Sequence, residues 1–273
     1  MRSLRTLLAL GALLLASTTS NAQTTHDIDN GPFFDFVPAN LTIDVGDTVR
    51  WVWVGGLHNV ESGVGGIPDG IFSSGGPTPV VGTEFSVTFD QAFLDANPVL
   101  GNVYDYYCVI HVSLGQVGTI TVNEPAVVAP YGCINPTGSL LSLGGEALAG
   151  GSWTVGVENP LGTQPAGSLA FLSVAAAPSF GFPCGLALPG FGMSAPGAVG
   201  ELLIDLAAPN PLETLGPVAW AGTGTPAPFP VALPDNPVLV GFTLYFQGLM
   251  VDAGGTSGIT LGATEGLQVT VGL

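Results

Sequence analysis

The segment Cys108-Val109-Ile110-His111 sets a thiolate and an imidazole three positions apart, a spacing that lets both face one metal ion from a tight loop. A second imidazole, His58, stands upstream in Leu57-His58-Asn59-Val60. One thiolate, two imidazoles and a weak further donor form the ligand set of electron-transfer copper. A lone buried cysteine is more often a small apolar filler, and a lone histidine is more often structural. Here both readings would have to hold jointly, in a chain with three histidines in all. The third, His26, reads as a residue of the N-terminal tail, where chains are usually poorly ordered.

The elements that must hold these residues are short runs of period two. Leu41/Ile43/Val45 precede a Gly46-Asp47 turn, and Val49/Trp51/Trp53 follow it. Phe85/Val87/Phe89, Tyr104/Tyr106/Cys108 and Gly118/Ile120/Val122 repeat the pattern. One buried face per run predicts antiparallel sandwich strands. His58 then follows one strand end, and Cys108 closes another strand just before the loop that carries His111.

The stretch from Tyr107 to Gly118 resembles the plastocyanin/azurin branch of the cupredoxins, whose ligand loop reads C-x-x-H-x-x-x-x-M before a Val-Gly strand. The family's first ligand lies in an H-N-V turn like the one at His58. The similarity runs from about Phe33 to Val122. It implies a Greek-key β-sandwich, one type 1 copper ion, and ligand roles for His58, Cys108 and His111. Gln116 occupies the place of the usual axial Met. By likeness to the stellacyanin-like branch it would be the axial ligand; the alternative is a surface glutamine, with a backbone carbonyl near Leu57 as the distant donor. Val109-Ile110 replaces a Ser/Thr-Pro pair and removes a hydroxyl that could steady the loop against Asn59. The resemblance further implies one-electron transfer through the edge of His111, within an apolar patch that would include Leu57, Val112 and Leu114. An enzyme with further copper centres would need more imidazoles than His26 can supply. The competing reading is a non-redox extracellular structural or adhesive protein on a degenerate cupredoxin scaffold.

Arg2 and Arg5, an apolar run from Leu7 to Ala16 and the small-residue stretch ending at Ala22 form the pattern of a signal peptide. Ten apolar residues fall short of the roughly 20 a membrane span needs. Residues 1–22 are therefore expected to be removed after Ala22, with the mature protein secreted or periplasmic. Losing Arg2 and Arg5 moves the formal charge from −17 to −19 and leaves Arg50 as the only Lys or Arg. Such a polyanion has no basic patch for nucleic acid or anionic lipid; its charge suits solubility outside the cell or, as the other reading, docking to a basic redox partner.

The composition, 47% hydrophobic with 41 glycines and 23 prolines, predicts an all-β protein with many turns. Residues 23–123 form the expected cupredoxin domain and 124–130 a proline-flanked linker. Residues 131–273 form a second β-sandwich-like domain. Its strand signals are Trp153/Val155/Val157, Ala170/Leu172/Val174, Leu202/Ile204/Leu206, Phe242/Leu244/Phe246 and Leu267/Val269/Val271. Its texture is similar to a C-terminal β-module found on secreted bacterial proteins, and it has no histidine. Three cysteines in an exported chain leave one unpaired. With Cys108 on a metal, Cys133 and Cys184 are free to form a disulfide; the rival pairing, Cys108 with Cys133, would destroy the site.

Overall fold

The structure, a computed structural model, describes residues 23–207 and 209–273; the expected signal peptide lies outside them. Nearly all the regular structure of the described residues is strand, with one short α-helix, α1 (Gln91–Ala96). Asp90 caps this helix, its side chain accepting from the Phe93 N–H at 2.8 Å. Among the described residues no helix is long and apolar enough to cross a membrane.

Among the described residues nine strands precede residue 124: β1 (Thr25–Asn30), β2 (Phe36–Val37), β3 (Asn40–Asp44), β4 (Thr48–Trp53), β5 (Glu61–Val64), β6 (Ile67–Ser73), β7 (Glu84–Thr88), β8 (Val103–Tyr107) and β9 (Val117–Asn123). They form two sheets, β2-β1-β4-β7 and β3-β9-β8-β5-β6. One apolar core lies between them. Val49, Trp51 and Trp53 enter it from β4, and Tyr104, Tyr106, Ile120 and Val122 from β8 and β9. Trp51 meets Tyr106 edge-on across the core, with ring centroids 5.3 Å apart, a preferred aromatic geometry. The expected runs lie in these strands with the expected faces inward, except that Val45, Phe89 and Cys108 fall just past the strand ends. Not every pairing is antiparallel, however: β1 runs parallel to β4, and β3 parallel to β9. Alternation fixes which face of a strand is buried but carries no information about its partner's direction.

His26 is not a tail residue. It lies in β1, opposite Val49 of β4, and its Nε2 is 2.9 Å from Oδ2 of Asp47 in the β3–β4 turn. Asp47 also accepts from the backbone N–H groups of Thr24 at 2.8 Å and Asp44 at 3.2 Å. Burial pushes the Asp47 carboxyl up, but the bonds from His26 and the two N–H groups outweigh it and hold the group below its ordinary value. A carboxyl depressed by folding adds stability above its unfolded value, near 3.8, and loses it as pH falls through the folded one. Asp47→Asn should therefore destabilise the protein at pH 6, by about 1–3 kcal/mol for a buried acceptor so altered. The gap to wild type should close as pH falls below about 4. Urea titrations of the metal-free proteins at pH 6 and pH 3 check both parts.

Ten further strands follow: β10 (Val127–Tyr131), β11 (Leu140–Gly144), β12 (Ser152–Val157), β13 (Leu169–Ala175), β14 (Leu186–Pro189), β15 (Val199–Leu202), β16 (Glu213–Ala219), β17 (Ala227–Ala232), β18 (Thr243–Val251) and β19 (Leu261–Thr270). A five-stranded sheet, β10-β19-β18-β13-β16, and a three-stranded one, β11-β12-β17, share a second core that holds Trp153, Leu172, Phe229, Phe246 and Val269. Two expectations shift here. Residues 127–130, expected in the linker, belong to β10 and pair with β19. The run Leu202/Ile204/Leu206 is not one strand: β15 ends at Leu202, Ile204 makes an isolated bridge to Pro178, and Leu206 is exposed. Buried Leu203 breaks the alternation, its N–H donating to Gln247 Oε1 at 2.8 Å.

Candidate metal centre

Cys108 follows directly on β8, and the loop to β9 closes on itself through backbone bonds. The Cys108 N–H donates to the Gln116 carbonyl at 3.1 Å, and the His111 N–H to the Cys108 carbonyl at 3.1 Å. The Leu114 and Gln116 N–H groups both donate to the His111 carbonyl, at 2.8 and 3.2 Å. A single 3-10 turn, Val112–Leu114, gives the loop its curvature. His58 is pinned separately. It exchanges two backbone bonds with Thr78, at 3.2 and 2.9 Å, and its carbonyl accepts from the Trp53 indole at 2.9 Å. Its ring lies so close to the backbone that a Cβ at Gly56, where φ is +79°, would come within 2.2 Å of Nε2.

These two loops bring the four expected residues together. The Nδ1 atoms of His58 and His111 are 3.1 Å apart, and Cys108 Sγ lies 3.9 and 3.6 Å from them. Gln116 Oε1 is 2.9 Å from the His58 Nδ1 and 3.0 Å from that of His111. Bonds of about 2.0–2.3 Å to one ion set neighbouring donors roughly 3–4 Å apart, and the separations here fall in that range. With each ring carrying its proton on Nε2, all four atoms offer lone pairs, and Cys108, Gln116 and His58 are at most 1% exposed. A cation in their midst satisfies them together, so the residues present fit a copper ion. Burial pushes the His58 pKa down; the Gln116 carbonyl opposes this, and His111 adds to it. The neutral ring is the form that offers Nδ1 as a ligand.

His111 alone among the four is partly exposed. Leu57 and Leu114, expected beside it, are exposed, at 46% and 58%, and Val112 is half-buried. Val109 and Ile110 are exposed on the same loop. Sequence reasoning missed Phe34, whose ring centroid is 4.5 Å from that of His111. The signal was present, as a Phe33-Phe34 pair outside any alternating run. The loop is tied to Asn59 without a hydroxyl at position 109: the Val109 N–H donates to Asn59 Oδ1 at 2.9 Å.

Among known proteins, the copper-binding plastocyanin/azurin family model matches residues 22–123. A plastocyanin from Scenedesmus fuscus is 33% identical over 92 residues, which span 32% of this chain and 85% of that protein. The chain belongs to the plastocyanin/azurin family of copper-binding proteins. A halocyanin from Natronomonas pharaonis is 35% identical over 91 residues, but these span only 48% of its length and 33% of this chain. Among solved structures, a purple cupredoxin from Nitrosopumilus maritimus is 30% identical, with 35% of this chain and 97% of that chain covered at a TM-score of 0.28. Copper is the family's metal, and it is the cofactor of this cupredoxin.

Outside the cupredoxin region, the structure joins Cys133 and Cys184 in a disulfide, leaving Cys108 as a free, buried thiol. Glu201, which sequence reasoning did not single out, frames that bond. Its Oε2 accepts from the backbone N–H groups of Cys133 and Ile134, both at 2.7 Å, and its Oε1 from Gly185 at 3.3 Å. Burial raises this carboxyl, but the backbone donors more than offset it and hold the group below its ordinary value. Sulfurs bonded to each other offer no thiolate, so Cys133, Cys184 and Glu201 read as a structural cluster.

Proposed function

We propose that this is an exported type 1 copper protein that passes single electrons, with His58 Nδ1, Cys108 Sγ and His111 Nδ1 as strong ligands and Gln116 Oε1 as the weaker fourth. The observation that carries this reading is the convergence of four donor atoms, three of them on buried residues, with only one ring, His111, reaching the surface. Copper, when bound, supplies a one-electron couple, and a thiolate with imidazoles suits both of its oxidation states. Enzymatic metal sites keep a position open for substrate or water. Here the protein fills all four positions, which favours electron transfer over catalysis. His26 is held by Asp47 and is not free to build a second centre. The closed loop 108–116 and the Asn59 contact hold the donors still, which lowers the cost of changing charge between them.

In this reading His111 is the electron's exit, and the exposed side chains of Phe34, Leu57, Ile110 and Leu114 form the surface a partner would desolvate. A strongly anionic chain suits a basic partner. Residues 23–123 and 131–273 would be two units, the second carrying the disulfide and no ligand. The test is visible absorption of the metal-free protein on adding one equivalent of Cu(II). An intense thiolate-to-copper band that reductant bleaches is expected. Absence of the band, with Cys108 unoxidised, sinks the proposal.

The amide oxygen of Gln116 is a harder donor than a thioether and favours Cu(II). Gln116→Met should therefore raise the reduction potential, by at least the ~59 mV that corresponds to a tenfold gain in Cu(I) preference. Equilibrium redox titration reads it, and a fall in potential would show that Gln116 is not a ligand.

A further inference from the structure

Whether Gln116 can serve as a ligand depends on which way its amide is turned. An amide presents an oxygen on one side and an NH2 group on the other, and only the oxygen can bind a cation. Two contacts on the far side decide the matter. Gln116 Nε2 donates to the backbone carbonyl of Asp35 at 3.0 Å and to Oδ1 of Asn30 at 2.9 Å. A backbone carbonyl can only accept, so the atom facing it must be nitrogen. Both amide hydrogens are thereby engaged, and Oε1 is left facing the two histidines. Asn30 is the last residue of β1, fully buried and paired with Trp53 of β4. Its own Nδ2 has no hydrogen-bond partner. An apolar residue of similar size would avoid that orphan donor; what asparagine supplies here is the acceptor for Gln116.

We infer that Asn30 is a positioning residue of the copper site, which with the Asp35 carbonyl clamps the Gln116 amide so that its oxygen is the fourth donor. This rests on the type 1 copper reading. The ligand loop comes from β8 and β9, so the clamp recruits the N-terminal strand to the site from the opposite sheet.

The test is a double-mutant cycle with Asn30→Leu and Gln116→Leu, read in both the metal-free and the copper-loaded protein. In the metal-free protein, the Gln116 side-chain amide protons, followed by NMR, should exchange at least tenfold faster in Asn30→Leu than in wild type. Asn30→Asp, which keeps the acceptor oxygen, should restore their protection. With copper, Asn30→Leu should move the visible spectrum and the potential toward those of Gln116→Leu. In the Gln116→Leu background the same change should move neither, whereas a merely structural role would act alike in both. Equal shifts in the two backgrounds, or unchanged exchange in Asn30→Leu, overturn the inference. Protected amide protons in a wild type that shows no thiolate band sink the copper reading and not the clamp.

Discussion

Cys108→Ser is expected to abolish the intense visible band and to weaken Cu(II) binding by far more than the roughly 10–100-fold that loss of an outer partner costs. The band requires a thiolate bonded to copper, and serine offers only a hydroxyl that stays protonated near neutral pH. The fold should survive. Cys108 is completely buried at the end of β8, but serine is of similar size, and its backbone bonds to Gln116 and His111 remain. The cost is a buried hydroxyl without a full partner, about 1–3 kcal/mol. Absorption titration, with isothermal calorimetry for affinity, reads the effect. A persistent band in Cys108→Ser would mean that another group supplies the colour. Recovery of Cys108 in a disulfide with Cys133 from the wild type would remove the premise altogether.

The site was legible because its donors are chemically rare in this chain and their spacing is local. Cys108, His111 and Gln116 lie within nine residues, and period-two alternation brings Cys108 to a strand end. Asn30 and Phe34 were not legible in the same way. Asn30 reaches Gln116 across 86 positions, and only the parallel pairing of β1 with β4 brings it there. Nothing in local alternation announces a parallel neighbour. The same pairing misled the reading of His26: its short strand is mostly polar, and it is held by cross-strand bonds and an Asp47 contact 21 positions away. At position 109 the sequence shows that a hydroxyl is absent, but side-chain types carry no sign of the backbone N–H bond to Asn59. In the second half, Trp153 and Phe246 announced their strands through alternation. Glu201 did not announce itself, since a lone glutamate gives no sign that it will be buried against three N–H groups.

Replacing Cys133 and Cys184 together by serine is expected to lower the stability of the second sandwich by about 4 kcal/mol without changing the copper band. The bridge spans 51 residues, and closing a loop of that length removes about 4 kcal/mol of chain entropy from the unfolded state at 25 °C. For a unit of about 150 residues, a loss of that size lowers the midpoint by roughly 8–16 °C. The fold itself should persist. Glu201 still gathers the Cys133, Ile134 and Gly185 N–H groups, and the core around Trp153, Phe229 and Phe246 contains neither cysteine. Cys108, the proposed thiolate ligand, packs in the other core, with Trp53 and Tyr106. Scanning calorimetry of the copper-loaded protein, with absorption followed through the scan, separates two possibilities. If the lower transition moves and the colour is lost at its former temperature, the halves unfold as two units. If both move together, the contact between Asn102 and Glu124 and the bond from the Leu273 N–H to the Glu124 carbonyl couple the halves strongly enough that disulfide strength in the second governs the lifetime of copper in the first.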